Sequence, residues 1–177
     1  MKRRLLLGLA IAWQMPALGA DPIPPHLAGV WATADSLYSG TTAQSELYLQ
    51  ADGSGMIIGS APPLVRLDGP EHGTAAPNMR AVLGLPLRAV ADADALTLHP
   101  FWKGMGPGTE QARFSCRYLA QGPALACVGS DRRDMLMKRR SSTLPPDAVA
   151  AIGGVFAEAS ATTIRAGAPR PGSSTLP

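Results

Sequence analysis

The sequence has few charged residues, few aromatic residues and only two cysteines. Charged residues make up 16% of the 177 residues and aromatic residues 5%, whereas a soluble domain is typically about 25% charged. The one long hydrophobic run, residues 5–13, is shorter than the ~20 residues that a transmembrane helix needs. This composition excludes a coiled coil and a wholly disordered chain. The 19 glycines and 17 prolines instead indicate a turn-rich β domain.

The N-terminus has the three parts of a secretory signal peptide. Lys2, Arg3 and Arg4 precede the hydrophobic run, and residues 16–20 supply small side chains for cleavage after Gly19 or Ala20. We therefore expect export to the periplasm or the medium by the general route, and a mature chain that does not span the membrane. The alternatives are a buried N-terminal helix and, for the route, twin-arginine export.

The net charge changes when residues 1–20 are removed. The full chain has 16 basic and 13 acidic residues, and three of the basic ones lie in the signal peptide. The mature chain is then neutral, so we expect no nucleic acid partner. Residues 131–140, here called the basic run, hold the densest cations. They fit either a solvated strand and turn or a site for an anionic surface or ligand.

Apolar and polar residues alternate in steps of two along the mature chain, as in β-strands. Turn signals divide this alternation into three hairpins, around residues 51–54, 92–94 and 120–123. With a first strand in residues 27–33 and a last one in 135–139, the chain has about eight strands. The sequence therefore predicts an all-β fold, an up-and-down antiparallel meander.

The Asp52-Gly53 hairpin has an expected register. A two-residue Asp-Gly turn is a strong hairpin signal, and it would place Leu49 opposite Met56 and Leu47 opposite Ile58. These four residues would then form one apolar face of the sheet.

The two cysteines fall on the third hairpin. Pro123 has no N–H to close a two-residue turn, so we expect a four-residue turn, which places Cys116 directly opposite Cys127. Cysteines paired in this way are within reach of a disulfide, and an oxidising compartment would preserve the bond. The rival readings are a free thiol and metal ligands, but the spacing of the cysteines, without a neighbouring histidine, argues against metal.

Residues 26–31 contain Gly29-Val30-Trp31, which resembles the Gly-x-Trp signature that opens lipocalin-like β-barrels. The two prolines before it suit the short helical turn that often precedes that strand. The resemblance implies an up-and-down antiparallel barrel of eight strands. It also implies that an arginine from the last strand, for which Arg139 is the nearest match, packs over Trp31. Gly29, Trp31 and Arg139 would then have structural roles.

We divide the chain into four parts. These are a signal peptide (1–20), a β-barrel domain (21–144), a short helix or extension (145–158) and a disordered tail (159–177). Within the barrel domain, residues 62–78 and 102–110 show no clear hydrophobic periodicity, and this predicts long loops there.

No catalytic or metal-binding constellation is recognisable around His26, His72 or His99. We therefore expect no catalytic residues, metal or cofactor, and no enzyme. Barrels of eight strands can enclose one small ligand. The sequence favours an exported binding module for a small apolar or amphipathic ligand, with residues 62–78 and 102–110 at the rim and the binding residues unspecified. The alternative is an envelope interaction or inhibitor protein that uses its outer face and the basic run.

Overall fold

The structure is a computed structural model that describes residues 22–67, 69, 73–76, 79–100 and 113–167. The predicted signal peptide, His72, the 102–110 loop and the last ten residues of the tail lie outside the described residues. The elements are β1 (Gly29–Ala32), β2 (Gln44–Leu49), β3 (Ser54–Ser60), β4 (Leu64–Val65), β5 (Ala75–Ala76), β6 (Val82–Asp92), β7 (Ala95–Pro100), β8 (Phe114–Leu119), β9 (Ala124–Gly129), β10 (Asp134–Ser141) and α1 (Pro146–Gly167).

Eight of these strands form a closed antiparallel barrel, in the order β1-β10-β9-β8-β7-β6-β3-β2. Each barrel strand pairs with the next barrel strand along the chain, β3 with β6 across the intervening β4 and β5. β10 closes the barrel on β1, where Arg139 is opposite Trp31. The predicted up-and-down barrel is therefore confirmed. The predicted loop at residues 62–78 is wrong in part, because β4 and β5 pair there as a separate two-stranded sheet.

The first hairpin has a different register from the predicted one. Leu49 is opposite Gly55, and Tyr48 is opposite Met56. The loop has three residues rather than two, because Gly53 adopts a φ of 78° and the Gln50 N–H donates to the carbonyl of Ser54 at 2.9 Å. A shift of one residue moves every side chain of a strand to the other face, so Met56 lies on the outside of the barrel.

The helix covers this outer apolar surface. Tyr48, Met56 and Ile58 border a crevice against α1, and Ile152 of the helix is fully buried there. The helix ends at Gly167 rather than near residue 158, so the first part of the predicted tail is helical. Apolar residues on both faces of β3 are thus explained by the core on one side and the helix on the other.

The other two hairpins form where the sequence predicts them. The second pairs β6 with β7 around residues 93–94, with Ala89 opposite Leu98, and the third has the predicted register, with Cys116 opposite Cys127. The two sulfur atoms are 2.07 Å apart, which is disulfide distance. The disulfide is buried inside the barrel, with both cysteines in the core cluster.

The core occupies one end of the barrel, which we call the closed end. The turns at residues 50–53, 93–94 and 120–123 lie here, and the segment before β1 crosses it. Ile23 and Leu27 of this segment are buried in the core, and the Ile23 N–H donates to the carbonyl of Ala51 at 2.9 Å. The large buried residues of the barrel include Trp31, Leu47, Leu49, Leu87, Leu96, Leu98, Leu125 and Met137. The opposite end, with residues 33–43, 61–67, 79–81 and 130–133, is the open end.

Candidate functional site

The open end of the barrel contains a cavity of about 540 Å³. Small-molecule sites usually have volumes of roughly 300–1,000 Å³. Large apolar side chains wall the cavity: Ile57, Leu83, Leu85, Phe114 and Met135. The apolar part of a small ligand fits the chemistry of these walls.

Small residues at inward positions leave this space open. Ser45 and Gly59 both line the cavity and are paired across β2 and β3, whereas Leu47 and Ile57 form the next inward pair towards the closed end. A Cβ added to Gly59 would meet no described atom within 4 Å. The cavity therefore begins where the inward residues of the same two strands change from large to small.

Two polar groups line the cavity. In the first, the Thr33 hydroxyl donates to Gln44 Oε1 at 2.9 Å and accepts from the Ser45 N–H at 2.9 Å. In the second, the Arg133 Nε lies 3.3 Å from a carboxylate oxygen of Asp131. The arrangement suits a ligand with an apolar body and a polar end, because few, well-placed polar groups orient ligands in such pockets.

Arg80 fixes the rim of the open end. Its side chain is buried, and its guanidinium donates to the carbonyl oxygens of Thr42 at 2.8 Å, Ser39 at 3.3 Å and Gly40. These contacts tie Arg80, two residues before β6, to the loop at residues 33–43. This part of the cavity rim is therefore cross-linked by hydrogen bonds.

The sequence predicts a cavity rimmed by residues 62–78 and 102–110, but it does not single out the residues that line it. The inward-facing residues of β2 are Ser45, Leu47 and Leu49, and the small side chain of Ser45 is a signal in the sequence. Its meaning is clear only when the pairing of Ser45 with Gly59 is known. The Arg80 contacts join residues about forty positions apart, and no local pattern indicates them.

Trp31 and Arg139 meet at the closed end. Trp31 is fully buried, and its indole N–H donates to the Leu27 carbonyl at 2.9 Å. The Arg139 guanidinium carbon lies 5.4 Å from the centre of the Trp31 ring, within the range of a cation–π contact. Arg139 also donates to the carbonyls of Ala28 at 2.7 Å and Pro25 at 3.2 Å. This geometry is the one that the lipocalin resemblance implies.

Gly29 lies where β1 begins and β10 ends. Its φ is +127°, and a Cβ at this position would lie 2.4 Å from the Ser141 carbonyl oxygen. L-residues rarely adopt such a φ, so both backbone conformation and space restrict this position to glycine.

The structure separates the cations of the basic run. Arg132 and Arg133 lie in the turn before β10 at the open end. Arg139 points inward to Trp31. Lys138 and Arg140 alternate with it and point outward. The basic run is therefore three small groups of cations and not one continuous patch.

The described histidines do not form a site together. The His26 Nε2 lies 3.2 Å from a carboxylate oxygen of Asp94 at the closed end, whereas His99 is on β7. Within the described part of the chain, no group of three potential metal ligands is found.

Two groups outside the cavity have shifted pKa values. Burial, together with a hydrogen bond to the carboxylate of Glu46 and the negative charges of Glu46 and Asp147, raises the pKa of Tyr48 to about 12. The pKa of Asp52 is lowered. Burial acts in the opposite direction there, but it is outweighed by hydrogen bonds from the hydroxyl and N–H of Ser54 together with the positive charge of Arg88 and a hydrogen bond from the backbone of Asp52 itself.

Comparisons with known proteins do not identify a family for this chain. No protein-family model matches the chain, and no curated protein is significantly similar to it. Among solved structures, the lipoprotein YedD from Klebsiella pneumoniae subsp. pneumoniae is 16% identical, with 83% of this chain and 94% of that chain covered and a TM-score of 0.41. The fold therefore rests on the strand pairing of the barrel. Among the described helices, none has the length and hydropathy needed to cross a membrane.

Proposed function

We propose that this protein is an exported binding protein, without catalytic activity, that holds a small amphipathic ligand in the open half of its barrel. The observation that carries the proposal is the cavity of about 540 Å³ between Ile57, Leu85, Phe114 and Met135. Removing apolar ligand surface from water among such side chains contributes about 25 cal/mol per Å².

The rim supports binding by a fixed site. Arg80 holds the loop at residues 33–43 through backbone carbonyls. In the same loop, the Leu37 carbonyl accepts a hydrogen bond from the Ser60 hydroxyl at 2.6 Å. A rim that is already ordered loses less conformational entropy when the ligand binds.

Two observations support export. The N-terminus of the sequence has the pattern of a signal peptide, and Cys116 and Cys127 are at disulfide distance. Structural disulfides persist in oxidising compartments and are rare in the cytosol. N-terminal sequencing of the envelope fraction should begin at Ala20 or Asp21. Protein that retains Met1 as its main form would contradict export.

Gly59 provides the test of the cavity. We would titrate the purified mature protein with the apolar fluorophore N-phenyl-1-naphthylamine and follow its emission. Gly59→Phe adds a ring at a position where a Cβ meets no described atom within 4 Å. It should weaken binding of the fluorophore at least ~10-fold, because the ring occupies volume that the probe needs. Gly59→Ala should bind nearly as the wild type does.

A matched control adds the same ring elsewhere. Gly153 is exposed on α1, and an added Cβ meets no described atom there either. Gly153→Phe should leave the affinity unchanged. Equal affinity of Gly59→Phe and the wild type would show that the fluorophore binds outside the cavity, for example on the exposed Leu67 of the rim, and would overturn the proposal. Absence of saturable binding to the wild type would overturn it as well.

A further inference from the structure

A second concave surface lies on the outside of the barrel, over β8, β9 and β10. It is a groove of about 1190 Å³. It is lined by residues 117–119 of β8, the closed-end turn at residues 120–123, Ala124 of β9, and Leu136 and residues 138–142 on and just after β10. Leu119 and Leu136 are large apolar residues of this lining, and they are 40% and 54% exposed. The groove extends to the closed end, whereas the cavity is at the open end, and Leu136 borders both.

The groove is strongly basic. Its lining includes Arg117, Lys138, Arg139 and Arg140, and none of the described lining residues is acidic. The Arg139 guanidinium contacts the Trp31 ring, and Arg140 forms an ion pair with Asp35. No ion pair between described residues engages Arg117 or Lys138.

The shape of the groove suits an extended chain. Neighbouring strands lie about 4.8 Å apart, so the walls on β8 and β10 are roughly 10 Å from each other. Leu119, Ala124 and Lys138 lie opposite one another in one row across the three strands, and Arg117 and Leu136 lie in another row. Cations and apolar side chains thus occur on both walls. Such a trough fits a single polypeptide strand better than it fits a flat bilayer.

We propose that this groove binds an extended acidic segment of a partner protein, with carboxylates at alternate positions. Side chains of an extended chain that are two residues apart are about 6.6–6.8 Å apart on one face, which is the spacing along the β10 wall. Because the barrel is closed, no free strand edge is available there. Binding is therefore through side chains, with charge complementarity as its main source of specificity.

The test uses a fluorescein-labelled peptide in which Glu and Val alternate, and its Gln-Val counterpart. Fluorescence anisotropy should detect binding of the Glu-Val peptide only, and added salt should weaken it. Arg117→Gln/Lys138→Gln should bind about fivefold or more weakly, as expected for the loss of two solvent-accessible charge pairs. Melting temperatures would show that each variant is folded.

The matched control removes the same charge at the open end. Arg113 and Arg132 are exposed and lie outside the groove, so Arg113→Gln/Arg132→Gln should bind within about twofold of the wild type. If both double variants weakened peptide binding equally, the loss of net charge alone would explain the effect, and the proposal would be overturned. Binding of phosphatidylglycerol vesicles but not of the Glu-Val peptide would overturn it in favour of a lipid surface. Gly59→Phe should still bind the Glu-Val peptide, because Gly59 lines the cavity and not the groove. Peptide binding and fluorophore binding can therefore succeed or fail separately.

Discussion

The two halves of the barrel are built from the same strands but differ in what fills them. At the closed end, inward positions hold Trp31, Leu49 and Met137, all fully buried. At the open end, the corresponding positions of β2 and β3 are Ser45 and Gly59, and a cavity of about 540 Å³ results. One barrel therefore combines a packed core with an open site.

This difference predicts how stability and ligand binding are distributed between the two ends of the barrel. Closely packed interiors respond strongly to loss of volume, so the closed end should determine the free energy of unfolding. The side chains around an open cavity have fewer contacts to lose. Changes there should affect binding more than stability, and the following predictions test this division.

The largest effect is expected at Trp31. Trp31→Ala removes a fully buried ring and its hydrogen bond to the Leu27 carbonyl, and it should lower the free energy of unfolding by ~3–5 kcal/mol. Urea unfolding followed by circular dichroism measures this change. A loss below ~1 kcal/mol would mean that the closed end is not the stable half.

A matched pair of leucines compares the two halves directly. Leu49→Ala at the closed end should cost ~2–5 kcal/mol in unfolding free energy. Leu85→Ala at the cavity wall should cost about 1 kcal/mol, because Leu85 is only half-buried and already faces empty space. Leu85→Ala should also weaken binding of N-phenyl-1-naphthylamine. Equal costs in urea unfolding would contradict the division into two halves.

The sequence predicted an antiparallel meander because its strands alternate and its turns carry recognisable residues, and the resemblance at Gly29-Val30-Trp31 implied the closed barrel. Pro123 restricted the third hairpin to one turn length, and the register of Cys116 and Cys127 followed. The first hairpin was ambiguous. Asp52-Gly53 fits both a two-residue loop and a three-residue loop with Gly53 in the left-handed region. Since β3 is apolar on both faces, periodicity could not choose between them.

The candidate site was less predictable than the fold. Gly59 and Ser45 look like ordinary strand residues, and they become cavity residues only through pairing with each other and through the closure of the barrel. The same holds for the groove, since Arg117 and Lys138 come from strands that meet only through β9. A cavity formed by small residues has no sequence motif, because small residues such as Ser and Gly occur in many strands and only their pairing in the fold leaves an empty space.

A smaller effect is expected for Arg139, which joins the closed end to the segment before β1. Arg139→Ala removes the contact with Trp31 and the hydrogen bonds to Ala28 and Pro25. A double-mutant cycle with Trp31→Leu should give a coupling energy of ~0.5–2 kcal/mol, the value of a cation–π contact. A coupling near zero would place Arg139 among the solvated cations of the basic run.

The smallest effect concerns Asp52, in the first turn of the closed end. Its carboxylate accepts hydrogen bonds from the Ser54 N–H at 2.9 Å and the Ser54 hydroxyl at 2.5 Å, and these lower its pKa in the folded state below the usual 3.8. The ionised form is thus favoured by folding. Its contribution to stability is present above pH ~4 and is lost as the pH falls through the lowered pKa.

Asp52→Asn tests this contribution because it keeps an acceptor oxygen but removes the charge. At pH 7, we expect the variant to be less stable by under ~1 kcal/mol, since the carboxylate is largely exposed and water screens its interactions. The difference should shrink towards zero near pH ~2, where Asp52 of the wild type is protonated as well. Urea unfolding between these two pH values measures it. A difference that stays constant or grows on acidification would show that the charge of Asp52 does not stabilise the turn. Asp131→Asn in the open-end turn, whose carboxylate accepts a hydrogen bond from the Arg133 N–H at 3.1 Å, provides the same substitution in the other half of the barrel.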